Sequence, residues 1–488
     1  MGKIRWDLIA LMLIIGTLFI VRMSLSASVP TLNYDSYLLV RDVEHILETG
    51  RPLHDDALSV TGTKRIGSPI FSYIMALFVS FSPLMYKILP NLLIVLLLVP
   101  VFIIAKQLTK SKVAAILAAL LAGTAPAVFS MYLNLPDALP FAALLFFTIL
   151  AMVHDPDRYL TWIIWLTIFL TFLHPIAFIL VLTLLVRVIL LRLEGFGVDK
   201  RVNELFFFTL LLTLWFHILI YKEVLFREGI RVIWQNLPVK YAALQFQPVT
   251  WIGTLYALGV VTFFFGTLGA HHALFEKRVK NAFTIASAAI GIALLMLLQL
   301  IELQVGLFLL SILLAIMAAY GLRVTAKYIA KTKVAWIAYP VTLVVLFIFV
   351  FTAILPALVD AKASIRAPTQ EDVEAFEQIR LPHDAVLLTT VREGAAVQYF
   401  SGKRTLTDND FLLMKHGDEL VKDIESVYTA RFSTTIVNKA AKLGFSHILF
   451  SNDAEIEYNR GRIFVENPRC LTYEILPNDV RLYKVRCT

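Results

Sequence analysis

Apolar runs long enough to cross a bilayer recur from residue 7 to residue 356, and they restrict the fold of this chain more than any motif does. A span takes about 20 apolar residues for a hydrocarbon core of roughly 30 Å. On that measure eleven crossings are predicted, at roughly 7–22, 88–105, 113–130, 138–153, 159–173, 175–191, 203–221, 251–270, 281–301, 304–322 and 334–356. The run from Pro69 to Pro83 is apolar but short, and is expected to lie at the interface or re-enter the bilayer. Charged residues make up 16% of the chain and apolar ones 58%, whereas soluble domains carry about 25% charged residues. The fold class implied is an α-helical polytopic membrane protein.

The net charge of +8 does not point to nucleic acid, because the cations sit in short turns between apolar runs. Such clusters orient spans, and they mark the cytoplasmic side. Alternate turns hold Lys106/Lys110/Lys112, Arg158, Arg192/Lys200/Arg201, Lys277/Arg278/Lys280 and Arg323/Lys327/Lys331/Lys333, while the turns near Leu133–Pro136, His174 and Glu302 hold no lysine or arginine. The N-terminus is therefore expected in the cytoplasm, with the C-terminus and the stretch 33–71 extracytoplasmic. Lys3 and Arg5 ahead of Leu8–Val21 also fit a signal peptide; the topology favours an uncleaved first span.

Two domains follow from this pattern: a transmembrane part over 1–358, with an outer loop at 23–87, and an extracytoplasmic α/β domain over 359–488. In the latter VLLTT (386–390), HILFS (447–451), LTYEIL (471–476) and VRLYKV (480–485) read as strands, and REGAAVQYF and TIVNKAAKLGF as helices, the second ending at Gly444. Cys470 and Cys487 are the only cysteines, and a disulfide and two free thiols both fit their placement. A second outer loop, 222–250, contains FREGIRVIWQNLPVKYAALQFQP, with Ile230, Ile233, Trp234 and Leu237 set against Arg227, Arg231 and Lys240. It reads as an interfacial helix or as a flap over a lipid-linked substrate.

Most of the chemistry lies in NYDSYLLVRDVEHILETGRPLHDDALSVTGTKRIGSPIF, residues 33–71. Leu39, Val43, Ile46 and Leu47 share a helical face there, with Gly50 and Pro52 as the stop. Asp35 reads as a metal ligand or a base, or as the N-cap of that helix. Lys64 and Arg65 are placed to grip a phosphate or to meet lipid headgroups. Asp42 and His45, and His54, Asp55 and Asp56, read as ligands or bases, or as a solvated loop face. Asp137 sits in a turn almost without other polar residues, where an acid is either functional or a cap for the next span. His174, before Pro175, and Glu302 stand at two other outer turns. There is no Walker loop, dinucleotide fingerprint, zinc spacing or Gly-x-Ser-x-Gly elbow, and no ladder of interior charges of the kind proton-driven carriers use.

In this order the features resemble the GT-C superfamily of membrane glycosyltransferases, and most closely the archaeal and bacterial relatives of the oligosaccharyltransferase catalytic subunit. NYDSYLLVRDVEHILETGRPLHDD resembles the family's first outer loop, SPIFSYIMALF the Pro-aromatic segment after it, and NLPDALPF the turn with the second acid. AKQLTKSKVAAILAALLAGTAP, LTFLHPIAFILVL and ELQVGLFLLSILLAIMAAYGL are similar to family spans, and LPHDAVLLTT, REGAAVQYFSGKRTLTD and AAKLGFSHILFS to its tail domains. The resemblance implies a glycosyltransferase that takes a sugar from a polyprenyl-phosphate-linked donor to a lipid, glycan or protein acceptor at the extracytoplasmic face. It makes Asp35 and Asp137 the catalytic acids, ligands of a divalent cation (Mg or Mn) if one is used, and Lys64 or Arg65 the contact to the lipid-linked phosphate. Asp42, His45, His54, Asp55, Asp56, His174 and Glu302 are further candidates. The chain departs from the family at Ser36, where many relatives have a second acid, and in having one acid in the second loop. It lacks the arginine common near ELQVG and any Trp-Trp-Asp-Tyr-Gly acceptor signature, so transfer to an asparagine sequon is not implied. Two rivals remain at this level: an inactive relative that binds lipid-linked glycan or scaffolds a complex, and a transporter.

Overall fold

The computed structural model describes residues 5–487 apart from 62–63, 198, 230–237, 242–249, 333–335, 337, 411–413, 415–416 and 464–466. The chain forms two compact units. One comprises Met1–Ala27, Tyr86–Ile220 and Gln245–Ile365, the other Ser28–Met85, Tyr221–Leu244 and Arg366–Thr488.

The first unit is helical, and among the described residues each of the eleven apolar runs is largely helix. Among the described residues six helices are by themselves long and apolar enough to cross a membrane: Trp6–Ala27, Met85–Thr109, Lys200–Arg227, Lys280–Leu297, Leu303–Ala330 and Tyr339–Ser364. Trp251–Leu258 and Val260–Glu276 qualify only as a pair, bent by 83° at Gly259. Lys112–Thr124 and Leu139–Met152 are short, and Ala177–Leu193 carries Arg187 and Arg192. The protein is thus a multi-pass membrane protein whose apolar helices differ widely in length.

Helix packing in this unit relies on small residues, as expected where lipid removes the hydrophobic drive between helices. A methyl group on Gly269 would lie 2.1 Å from the Met317 carbonyl oxygen, and one on Gly321 2.2 Å from that of Phe265. Val260–His271 and Leu303–Ala330 therefore meet backbone to backbone. Ala115, Ala118, Ala119 and Ala122 bury one side of Lys112–Thr124 completely.

The second unit is built on a five-stranded sheet of order β2-β1-β3-β5-β4, with β1 at Val386–Leu388, β2 at Arg404–Thr405, β3 at His447–Phe450, β4 at Leu471–Ile475 and β5 at Arg481–Val485. β1 is parallel to β2 and β3, while β5 is antiparallel to β3 and β4. The four predicted strands are present, and β2 is an addition too short to be read from period-2 alternation. Helices Gly394–Ser401 and Ser433–Leu443 occupy the predicted helical stretches, the second capped by left-handed Gly444. Leu388, Ile424, Val427, Tyr428, Ile436 and Ile448 form the core. Cys470 and Cys487 are joined by a disulfide, which closes the reading the sequence left open.

Residues 33–71 belong to this second unit. The amide of Val60 donates to Thr405 O (3.1 Å) and that of Thr405 to Leu58 O (2.9 Å), so the loop lies along the β2 edge. Its helix Tyr37–Thr49 ends at left-handed Gly50, whose N–H reaches Ile46 O. The buried stripe is Tyr37, Val40, Val43 and Ile46; Leu47 is exposed, which corrects the predicted face by part of a turn. Aromatic packing of Tyr37 on Tyr399 and Phe400 sets that rotation. Pro69–Pro83 contains the ten-residue helix Ile70–Val79, about 15 Å long at 1.5 Å per residue. Lys222–Glu228, read as loop, continues the preceding helix, while Ile230, Arg231, Ile233, Trp234 and Leu237 lie outside the described residues.

Candidate functional site: two acids in different surroundings

Asn33 opens a tight helical turn, Tyr34–Ser36, that presents Asp35. The Arg366 main chain clamps the turn: its N–H donates to Asn33 Oδ1 (3.1 Å), and its carbonyl accepts from the Tyr34 N–H (3.0 Å). The helix that follows starts at Tyr37 without a side-chain cap, so Asp35 is not spent on capping. Its carboxylate accepts from Asn409 Nδ2 at 3.4 Å and keeps solvent-exposed surface. Crowding by surrounding protein raises the carboxyl above its usual range, while Arg392 and Arg366 act against the rise and Asp453 adds to it. Arg392 is held by Asp453 at 3.4 Å. Beside it Glu393 is fully buried and accepts from the Thr390 hydroxyl at 3.0 Å; burial, then Asp453, push its carboxyl up.

The other charged residues of the loop go elsewhere. Asp56 is buried and accepts from Arg41 (2.5 Å), from Arg65 and from the Leu58 amide (3.0 Å). Burial alone would raise it, but the two guanidinium groups hold it below the usual carboxylate range. Arg65 also lies 3.5 Å from Asp408 Oδ2, and Arg41 reaches Gln398, which donates to Thr405 Oγ1 at 2.6 Å. This network ties the loop to the sheet, and it occupies the guanidinium of Arg65. Lys64 is exposed and pairs through its backbone with Asp55. Asp42 accepts from the Leu53 amide at 2.7 Å and closes the turn after the helix. His54 is exposed, and its carbonyl accepts from the Arg65 N–H at 2.8 Å. The side chain of His45 is half-buried on the helix.

In the helical unit the turn after Pro126–Phe129 carries Tyr132 and Asn134 at φ 55° and 61°, left-handed positions occupied without glycine. Asp137 ends the turn and accepts from the Leu139 N–H at 2.7 Å, at the start of the helix Leu139–Met152. Burial raises its carboxyl, and that one backbone N–H opposes the rise. The phenol of Tyr132 feels burial first, then the charges of Asp137 and Glu302, so these two sequence-predicted acids share a neighbour. His174 sits in extended backbone after Leu173, with Nδ1 accepting from the Ile176 N–H at 3.1 Å. Burial and His217 lower it to about 4, which leaves it neutral at physiological pH.

Among the described residues no three His, Cys, Asp or Glu side chains are grouped to hold a metal ion. Within its unit Asp35 lies in the field of Arg392 and Arg366, with the Asp453 carboxylate opposing them. Sequence reasoning missed Arg366, Arg392 and Asn409, because each becomes notable only through its place beside Asp35. Arg392-Glu393, a charged pair entering an otherwise apolar helix, was the one visible signal.

No family model matches the chain, and no curated protein matches it by sequence. Solved structures do. The oligosaccharyltransferase of Archaeoglobus fulgidus in the apo form is similar over 93% of this chain and 70% of its own, with 13% identity and a TM-score of 0.66. The same archaeal enzyme, AglB, in complex with an inhibitory peptide and a dolichol-phosphate gives 0.64 with the same identity and coverage. ArnT from Cupriavidus metallidurans bound to undecaprenyl phosphate is similar over 99% of both chains, with 11% identity and a TM-score of 0.52. At these identities the likeness is one of fold: the chain has the fold of the GT-C membrane glycosyltransferases.

Proposed function

We propose that this chain, a multi-pass membrane protein of GT-C fold, transfers a sugar from a polyprenyl-phosphate-linked donor to an acceptor at the extracytoplasmic face. The observation that carries the reading is an accessible carboxylate, Asp35, with no cation within salt-bridge distance among the described residues and two arginines in its field. Binding of undecaprenyl phosphate by ArnT and of dolichol-phosphate by AglB supports the donor class. The lysine- and arginine-rich turns support an N-terminus in the cytoplasm. The Cys470–Cys487 disulfide supports an oxidising compartment for the α/β unit.

In this reading the acceptor hydroxyl or amide attacks the anomeric carbon as the bond to the phosphate oxygen breaks, with inversion. Asp35 takes the acceptor's proton, and its raised pKa makes it a stronger base than an ordinary aspartate. Arg366 and Arg392 offset the negative charge that gathers on the departing phosphate, a task the sequence had suggested for Lys64 and Arg65. Asp137 is the second acid assigned to the reaction. An AglB structure holds zinc and sulfate; among the described residues of this chain no three His, Cys, Asp or Glu are grouped to hold a metal ion, and the step is written without one.

Asp35→Asn tests the reading. It should leave the thermal melting of the detergent-purified protein in place and lower transfer from lipid donor to acceptor by about 10²–10⁴-fold, the range for loss of a general base. Wild-type turnover in that variant would refute the assignment, and with it the main ground for calling the chain an enzyme.

A further inference from the structure

Trp6–Ala27 is an apolar helix with a single cation in its interior, Arg22, and that side chain is 1% exposed. A charge inside a membrane helix is costly and persists where it has a task. Among the described residues the guanidinium has no carboxylate partner. Nε donates to Asn91 Oδ1 (2.9 Å), Nη1 to the carbonyl oxygens of Phe129 and, at 3.4 Å, Val128, and Nη2 to that of Met131 (2.9 Å). These carbonyls end the short helix Pro126–Phe129 and open the turn that leads to Asp137. A cation there satisfies orphan carbonyls and complements the helix dipole. One turn further along the first helix, Ser26 Oγ lies 3.3 Å from Asn134 Oδ1, and Lys87 Nζ donates to the Ser26 carbonyl at 3.2 Å.

We propose that Arg22 is a positioning residue for Asp137, an inference that rests on the reading of Asp137 as an acid of the reaction. Tyr132 and Asn134 hold left-handed backbone that a free turn would abandon. A planar guanidinium gripping the carbonyls of Val128, Phe129 and Met131 at once is the restraint that keeps them there, and Ser26 supplies a weaker second hold. Lysine cannot replace it, since one ammonium has neither the reach nor the fork geometry to span those oxygens.

The test uses the full-length protein in detergent, with Leu135→Cys as reporter; both native cysteines are tied in a disulfide. Arg22→Gln should speed maleimide labelling of the reporter about tenfold or more, as local opening of the turn becomes cheaper. Arg22→Lys should behave nearly as Gln does. Ser26→Ala, which serves if the Arg22 variants fail to fold, should give a smaller rise of about threefold. An unchanged labelling rate in variants that melt normally overturns the proposal. A second arm measures sugar release from synthetic undecaprenyl-phosphate-linked glucose. Arg22→Gln should lower kcat with KM kept, and adding it to Asp137→Asn should cost little beyond Asp137→Asn alone. Full additivity of the two losses overturns the link to Asp137. If Asp137→Asn is itself silent, the reading of Asp137 fails, while the labelling arm still decides whether Arg22 holds the turn.

Discussion

Asp35 and Asp56 belong to the same loop and each is influenced by two arginines, yet their carboxyls move in opposite directions. Asp56 is in direct contact with Arg41 and Arg65 and is buried with them. Its charge is fully compensated, and the pair of contacts outweighs the desolvation that burial imposes. Asp35 feels Arg392 and Arg366 only at longer range, and desolvation wins. Composition alone would assign the two acids one role. Distance separates them: a carboxylate already saturated by contact cations is a structural joint, and one left short of them is available to a substrate.

The largest effect that sharpens this contrast is on stability. Asp56→Ala leaves Arg41 without its acid and Arg65 with only the 3.5 Å contact to Asp408, in a site where both are about nine-tenths buried. Removing one partner of a buried pair typically costs about 3–5 kcal/mol. The α/β unit should then melt well below the wild type, or be cut first by a protease. Asp35→Asn should do neither, because among the described residues no cation in salt-bridge contact loses its acid. If the two variants melt alike, the contrast between joint and reagent is broken.

How much of this was legible beforehand follows from range of interaction. The apolar runs, Gly50, Gly444 and four strands are local signals, and the sequence places them within a few residues. The special standing of Asp35 and Asp137 rests on family resemblance plus their isolation between spans. What is paired with what is not local: Asp56 meets Arg41 and Arg65, and Arg65 also meets Asp408, far along the chain. Reading Arg65 as a phosphate grip was reasonable for an exposed loop and ignores a partner that only folding supplies. The helix stripe shifted for the same reason, since Tyr37 is drawn to Tyr399 and Phe400. Arg22 was the missed local signal, a charge inside an apolar run.

Glu393 extends the comparison to an acid with no contact cation among the described residues. Burial and the neighbouring Asp453 raise its carboxyl, so the folded protein holds a proton that the unfolded chain releases in the ordinary carboxylate range. Its contribution is fully present below that range and is lost as pH rises through the raised folded value, with a slope of at most about 1.4 kcal/mol per pH unit from one proton. Melting temperatures of Glu393→Gln should therefore fall less steeply than those of the wild type between the ordinary carboxylate range and about pH 8. A steeper fall would mean that Glu393 is ionised in the fold and paired.

Asp137 is the intermediate case, raised like Asp35 but already engaged by the Leu139 N–H. Two substitutions divide its possible roles. Asparagine keeps the oxygen that accepts the amide and removes the charge; alanine removes both. If Asp137 only begins a helix, Asp137→Asn should be silent and Asp137→Ala should cost about 1 kcal/mol, the usual worth of a cap. If it serves the reaction, Asp137→Asn should lower turnover with the melting point kept, and alanine should add the stability loss on top. The assigned role predicts the second pattern. The shape of the pH profile separates it further from Asp35: a carboxylate needed as base gives activity that rises through its raised pKa, and that limb should vanish in Asp35→Asn but survive in Asp137→Asn.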